Sequence, residues 1–167
     1  MRQILFLSMI MLSAAFTECS SQPPKSPKLT AEGKDVKVTY GAPSKRDRVI
    51  FGELVPYGQV WRAGANEATE ITFAKDATVA GKPVKAGTYT LFTIPTESEW
   101  TIILNPELKQ WGAYGYDKIK DKNVLEAKVP SKKTDNVVEQ LTYRFDGDNN
   151  MIIEWEQTQV QVPITTG

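Results

Sequence analysis

Met151-Ile152-Ile153-Glu154-Trp155-Glu156, followed shortly by Gln159-Val160-Gln161-Val162-Pro163-Ile164, decides the fold through its spacing. Met151, Ile153 and Trp155 alternate with Ile152, Glu154 and Glu156, and Val160, Val162 and Ile164 alternate with Gln159, Gln161 and Pro163. Side chains on a strand point in turn to its two faces, so each set supplies one buried face. The same period of two recurs upstream. Val36, Val38 and Tyr40 alternate with Lys37 and Thr39, Ile71 and Phe73 with Glu70 and Thr72, and Trp100, Ile102 and Leu104 follow the same rule. Residues 88–94 are β-branched or aromatic on both faces, which suits a central strand.

Turn chemistry separates these runs at Ala80-Gly81-Lys82-Pro83, Ala86-Gly87, Pro95-Thr96-Glu97-Ser98 and Asp146-Gly147-Asp148-Asn149-Asn150. About nine or ten short strands result, and the predicted fold is all-β, an antiparallel β-sandwich of jelly-roll-like type. Its core is expected to contain Val38, Phe73, Leu91, Ile102, Leu141, Ile153, Trp155 and Val162, with Trp61 and Trp100 also in strand patterns. Helix signals are weak, limited to short turns around 106–110 and 117–122.

The N-terminal segment has a different grammar. Arg2 precedes an apolar run over 4–12, smaller residues follow, and then come Glu18, Cys19, Ser20 and Ser21. Residues 1–21 are therefore expected to be a secretory signal, too short to serve as a stable membrane span. Residues 22–33 begin Gln-Pro-Pro-Lys-Ser-Pro-Lys and read as a polar, proline-rich tether, leaving 34–167 as a single β-sandwich domain. Cys19, directly after the apolar run, resembles a bacterial lipoprotein acceptor, although Glu18 stands where Gly, Ala or Ser is preferred. Cleavage after Ser21 is the other reading, and a retained anchor the third. Membrane attachment, on these readings, comes through a lipid on Cys19 or that anchor, and the expected destination is the periplasm or the outer-membrane envelope.

Composition excludes several functions. The chain of 167 residues has 20 basic and 20 acidic side chains, no histidine and one cysteine. Removing residues 1–18 takes away Arg2 and Glu18 and leaves the charge at zero, with no basic footprint for nucleic acid. Without histidine, the usual zinc sets and the histidine-based triads are gone, and a single cysteine forms no internal disulfide. No phosphate-cradling glycine loop precedes a helix, and no metal or cofactor is implied. Ser44 and Lys45 are adjacent, so in an extended segment they point apart and make a poor Ser–Lys pair. Asp146, Asp148 and Asn149 lack the rest of a calcium-loop pattern and read better as a hairpin turn. Lys75 or Lys37 with Asn66 and Glu67 or Glu70 provides the residue types for an isopeptide bond, which would show as loss of one ammonia in the intact mass.

Two loops interrupt the strand pattern and carry chemistry. One runs from Tyr40 through Gly41-Ala42-Pro43-Ser44-Lys45-Arg46-Asp47-Arg48 and Val55-Pro56-Tyr57-Gly58 to Trp61-Arg62-Ala63-Gly64-Ala65-Asn66-Glu67. The other is Gln110-Trp111-Gly112-Ala113-Tyr114-Gly115-Tyr116-Asp117. Arg62 can clamp an anion in bidentate fashion, Asn66 both donates and accepts, and Glu67 is a candidate base. Alternatively, Arg62 pairs with Glu67 or Glu53 and Asn66 caps a turn. Trp111, Tyr114 and Tyr116 either offer ligand-stacking faces or close the open end of the sandwich. The expected site is a convergence of Arg62, Asn66 and Glu67 near Tyr57, Trp111 and Tyr114 at one end of the sandwich.

Those two loops, with Lys85-Ala86-Gly87-Thr88-Tyr89-Thr90-Leu91-Phe92-Thr93-Ile94-Pro95, closely resemble the domain-of-unknown-function 2911 family from about residue 34 to residue 164. One departure is Asp47, where that pattern has glycine before the arginine matching Arg48. The resemblance implies a small exported protein of a Gram-negative envelope, and it brings neither an activity nor site residues with it. The residues themselves favour a non-enzymatic module for a small molecule or glycan. The alternative is a hydrolase or lyase with Glu67 as base and Arg62 as anion clamp. Glycoside hydrolysis by two of Glu53, Glu67 and Glu70 depends on a separation that sequence does not measure.

Overall fold

The computed structural model describes residues 26–147 and 149–167. The expected signal segment with Cys19, the start of the expected tether, and Asp148 lie outside the described residues. Ten strands follow one another: β1 (Lys28–Glu32), β2 (Val36–Gly41), β3 (Thr69–Phe73), β4 (Ala77–Val79), β5 (Lys82–Val84), β6 (Gly87–Pro95), β7 (Glu99–Asn105), β8 (Leu125–Asp146), β9 (Asn150–Val162) and β10 (Ile164–Thr166). The fold is all-β and sandwich-like. Seven strands form an antiparallel sheet in the order β1-β2-β3-β6-β7-β8-β9, and β10-β4-β5 form a small second sheet. β6, doubly apolar in sequence, is the middle strand of the seven.

Register explains the core. Residues opposite each other across an antiparallel pair share a face. Leu91 faces Leu104, which faces Leu125, and Thr93 faces Ile102, which faces Ala127. β8 is 22 residues long, pairs with β7 over its first part and with β9 over the rest, and shifts register between Lys133 and Thr142. Such irregularities bend a strand. The bend brings Leu141 back to the chain leaving β2, where its N–H donates to Pro43 O at 2.9 Å. The curled sheet thereby encloses one apolar cluster holding Val38, Phe73, Leu91, Ile102, Leu141, Ile153, Trp155 and Val162, every one of them buried. Trp61, Trp100 and Trp155 belong to it with Phe51, and Trp61 stacks on Trp155 at 6.0 Å and 15°.

The outer face of the central strands is covered too. Phe92 and Ile103 are opposed in register and buried with Tyr116, whose ring meets Phe92 at 5.1 Å. Asn105 anchors this cover by donating to Ile119 O and Asn123 Oδ1, both at 2.8 Å. Of the three loop rings, Tyr116 therefore closes the sandwich.

Three expectations need correction. Lys28–Glu32, read as tether, form the edge strand β1 against β2. Segment 106–110 makes no helical turn, whereas two short 3₁₀ turns stand at Tyr116–Lys118 and Lys120–Lys122. The strands are not all short, since β8 and β9 have 22 and 13 residues. Their solvent-facing stretches are mostly polar on both sides, the adjacent Val137 and Val138 apart, and so show no alternation to count.

Candidate functional site

The turn carrying Arg62 is fixed at both ends. Trp61 is tied to Thr93 by two backbone hydrogen bonds of 2.7 and 2.9 Å, and Thr69 N–H donates to Arg62 O at 3.1 Å. Between them Ala63 and Asn66 adopt left-handed backbone, φ 56° and 65°. Such conformations cost roughly 1–2 kcal/mol each outside glycine and persist where the surroundings hold them. Here Ala63 O accepts from Thr69 Oγ1 at 2.9 Å and from the buried Tyr143 hydroxyl at 2.7 Å. Burial pushes the Tyr143 phenol far above its usual range, so the hydroxyl stays a donor. Gly64 supplies room: a Cβ there would lie 2.9 Å from Thr69 Oγ1 and 3.0 Å from Gly41 O. At Gly41 a Cβ would lie only 2.1 Å from Ala65 O.

The second wall is the loop after β2, held by acids of β8 and β9. Lys45 N–H donates to Glu139 O at 2.6 Å and Arg46 N–H to Glu139 Oε1 at 2.8 Å. Glu156 accepts from the Ile50 and Phe51 N–H groups at 3.3 and 3.4 Å and lies 3.8 Å from Lys45 Nζ. Arg48 folds back, donating to Ser44 O at 2.5 Å and Lys45 O at 3.0 Å. The left-handed residue of this turn is Arg46, φ 54°, so Asp47 stands at the former glycine position without strain of that kind.

Between the two walls lies a cleft of about 370 Å³ over Trp61 and Trp155, lined by Ser44, Arg46, Arg48, Arg62 and Asn66. Three arginines line it, and among the described residues no acidic residue does. Arg62 Nε is buried and has no hydrogen-bond partner. No ion pair joins Arg62 to Glu67 or Glu53 among the described residues. Asn66 does not cap the turn through its side chain; its backbone O accepts from Gly112 N at 3.1 Å.

The six expected residues do not converge. Arg62 and Asn66 share the cleft, and Tyr114, 84% exposed, stands on the other side of Arg62. Glu67 pairs in register with Trp111 and borders a different surface, with Lys28, Glu70 and Lys109. Asn66 ends the bend in left-handed backbone and Glu67 begins the bridge to Trp111, which is where the two part. Trp111 is 63% exposed and lines neither hollow. Tyr57 packs against Gly52 outside the cleft, its phenol raised by burial and then by Glu97 and Glu156. Of the isopeptide candidates, Lys75 instead binds Asp35 at 3.2 Å and Glu70 accepts from Lys109 N–H at 3.1 Å.

Sequence reasoning passed over Arg46 and Arg48, whose only local signal was two cations in a glycine- and proline-opened loop. No cluster of three or more acids, histidines or cysteines able to hold a metal exists among the described residues. No curated protein and no solved structure matches the chain. A family model does match residues 22–164, most of the length and both walls of the cleft included. The chain therefore belongs to the family described as protein of unknown function (DUF2911).

Proposed function

We propose that this chain is an exported envelope protein whose β-sandwich binds a small anionic ligand, an acidic glycan or another acid-bearing small molecule, without converting it. The observation that carries the reading is the buried, unpartnered Nε of Arg62 in a cleft with Arg46 and Arg48 and no lining acid. That nitrogen has no protein partner among the described residues, and an oxyanion bound to the outer nitrogens supplies the guanidinium with a charged one. A guanidinium fits carboxylate, phosphate or sulfate in fork geometry, while Ser44 and Asn66 can bond hydroxyl groups beside it. Less supports the alternative hydrolase or lyase, because Glu67 borders a different surface from Arg62 and, among the described residues, no acid lines the cleft. Export itself rests on the signal-like 1–21 and on the lipoprotein-like surroundings of Cys19.

Thermal melting against inorganic phosphate, sulfate and glucuronate tests the binding. Native-state binding raises the midpoint with ligand concentration. Arg62→Gln should abolish that rise while melting as an intact domain. Absence of any anion-dependent rise in the parent protein rejects the reading. N-terminal mass analysis separates the export routes: a diacylglyceryl mass on Cys19, or a chain starting at Gln22. Retention of residues 1–10 argues against both.

A further inference from the structure

The arginine cleft does not end at Arg62. A second hollow of about 360 Å³ adjoins it, and the two share Leu54, Val55, Trp61 and Arg62 as walls. The second hollow has the opposite chemistry. Beyond the shared wall it is lined by Pro56, Val60, Ala113 and Tyr114, with Gln59 its one uncharged polar side chain, and Arg62 is its sole charge. Leu54 and Tyr114 flank it from two separate loops, 46% and 84% exposed. Tyr114 does not stand there by chance of an unstructured tip. Gly112 is left-handed at φ 67°, and a Cβ on it would sit 2.8 Å from Tyr114 Cε2, so the missing side chain gives the ring its seat.

We propose that the ligand is amphipathic: its anionic group enters the arginine cleft and an apolar body lies across Arg62 into the hollow between Leu54 and Tyr114. This rests on the anion-binding reading and adds the ligand's second half. The physical case is continuity. Arg62 borders both hollows, so a group bonded to its guanidinium has its remaining atoms directed along the shared Trp61–Leu54 wall. Apolar surface placed there leaves water together with the two most exposed apolar side chains of that wall, which is favourable in proportion to the area covered. A ligand of oxyanion alone would leave that surface wet.

The experiment compares calorimetric affinities of inorganic phosphate, phenyl phosphate and hexyl phosphate. Both organic phosphates should bind about tenfold or more tighter than phosphate, the gain expected from covering a ring-sized apolar area. A gain for phenyl phosphate alone assigns the body as aromatic, and a gain for hexyl phosphate alone assigns it as aliphatic. Tyr114→Ser should bring the ratio of phenyl phosphate to phosphate affinity down severalfold. In amide spectra, Val60 and Ala113 should shift with phenyl phosphate and not with phosphate, a readout that needs no variant. Equal affinity for all three overturns the amphipathic ligand and leaves the anion site standing. A tighter organic phosphate without any shift at Val60 or Ala113 also overturns it, since the body then lies elsewhere. No binding of any of the three overturns both.

Discussion

Two polar corners of this sandwich use the same parts and reach opposite ends. At the Asn149 corner, a buried asparagine with φ 67° accepts from Lys34 N–H at 2.6 Å and donates to Thr166 Oγ1 at 3.3 Å. The Thr166 hydroxyl donates in turn to Asp35 Oδ2 at 3.1 Å, and Lys75 Nζ reaches the same oxygen at 3.2 Å. That corner closes on itself and ties β10 to the β1–β2 turn. At the Arg62 corner, left-handed Ala63 and Asn66 are held as firmly, yet the guanidinium they present keeps a buried donor without a partner. Density of polar groups is therefore not what separates a site from a joint. A charged group left with an unfilled donor at the edge of an open cleft is, whereas the equally unfilled Trp100 Nε1 lies sealed in the core.

The largest effect should come from the frame of the open corner. Gly41→Ala places a methyl 2.1 Å from Ala65 O, and backbone cannot swing aside like a side-chain tip. We expect a loss of about 3 kcal/mol or more in denaturant unfolding. A loss under about 0.5 kcal/mol would show that the Arg62 turn is pliable and its open donor an accident of shape.

Next comes the closed corner. Asn149→Ala strands Lys34 N–H and puts alanine at φ 67°, for an expected loss of about 2–3 kcal/mol. A neutral result would remove the contrast.

Acid should then distinguish the corners. The Lys75 hydrogen bond, opposed by desolvation and aided by Thr166, holds the Asp35 carboxyl below its ordinary value. A depressed carboxylate binds protons more readily unfolded than folded, so its contribution is complete above the unfolded value near 4 and is lost as pH falls through the folded one. The melting difference between the parent and Asp35→Asn should shrink once the pH drops below about 4. A difference that persists unchanged into that acid range would mean Asp35 acts through something other than its charge.

Smallest of all is the effect of removing the unfilled charge. Arg62→Gln should change stability by no more than about 0.5 kcal/mol, or raise it, because the buried Nε has no hydrogen bond to lose. A loss of several kcal/mol would make Arg62 a structural residue and turn the open corner into a second closed one.

The strand pattern carried the core because burial on one face repeats every second residue, and Val38, Leu91, Ile102, Ile153 and Val162 all sit where that period puts them. The site was legible only in part. Arg62 and Asn66 stood out by type, but Glu67 next to them was grouped by proximity along the chain, and the left-handed backbone at Asn66 turns the chain before it reaches Glu67. The left-handed residues of the turn are Ala63 and Asn66 rather than Gly64, and alanine gives no composition signal for that geometry. Arg46 and Arg48 enter the cleft because Glu139 and Glu156 hold their loop from strands about a hundred residues away (Arg46 and Glu139 are separated by 93 positions). No local pattern encodes a partner at that distance. β1 was hidden for a simpler reason: an edge strand with one half-buried alanine shows almost no apolar alternation.

The stacking of Trp61 on Trp155 gives the protein a built-in optical signal. Two indoles 6.0 Å apart and 15° from parallel are close enough for their electronic transitions to couple, and coupled chromophores in a fixed chiral arrangement produce a paired circular-dichroism band. Both rings border the arginine cleft, and Trp61 also borders the hollow beyond Arg62. A molecule settling against that wall changes the field around one indole more than the other. Occupancy should thus be readable from the parent protein's own spectrum, in unlabelled material, as a change in the shape of that band.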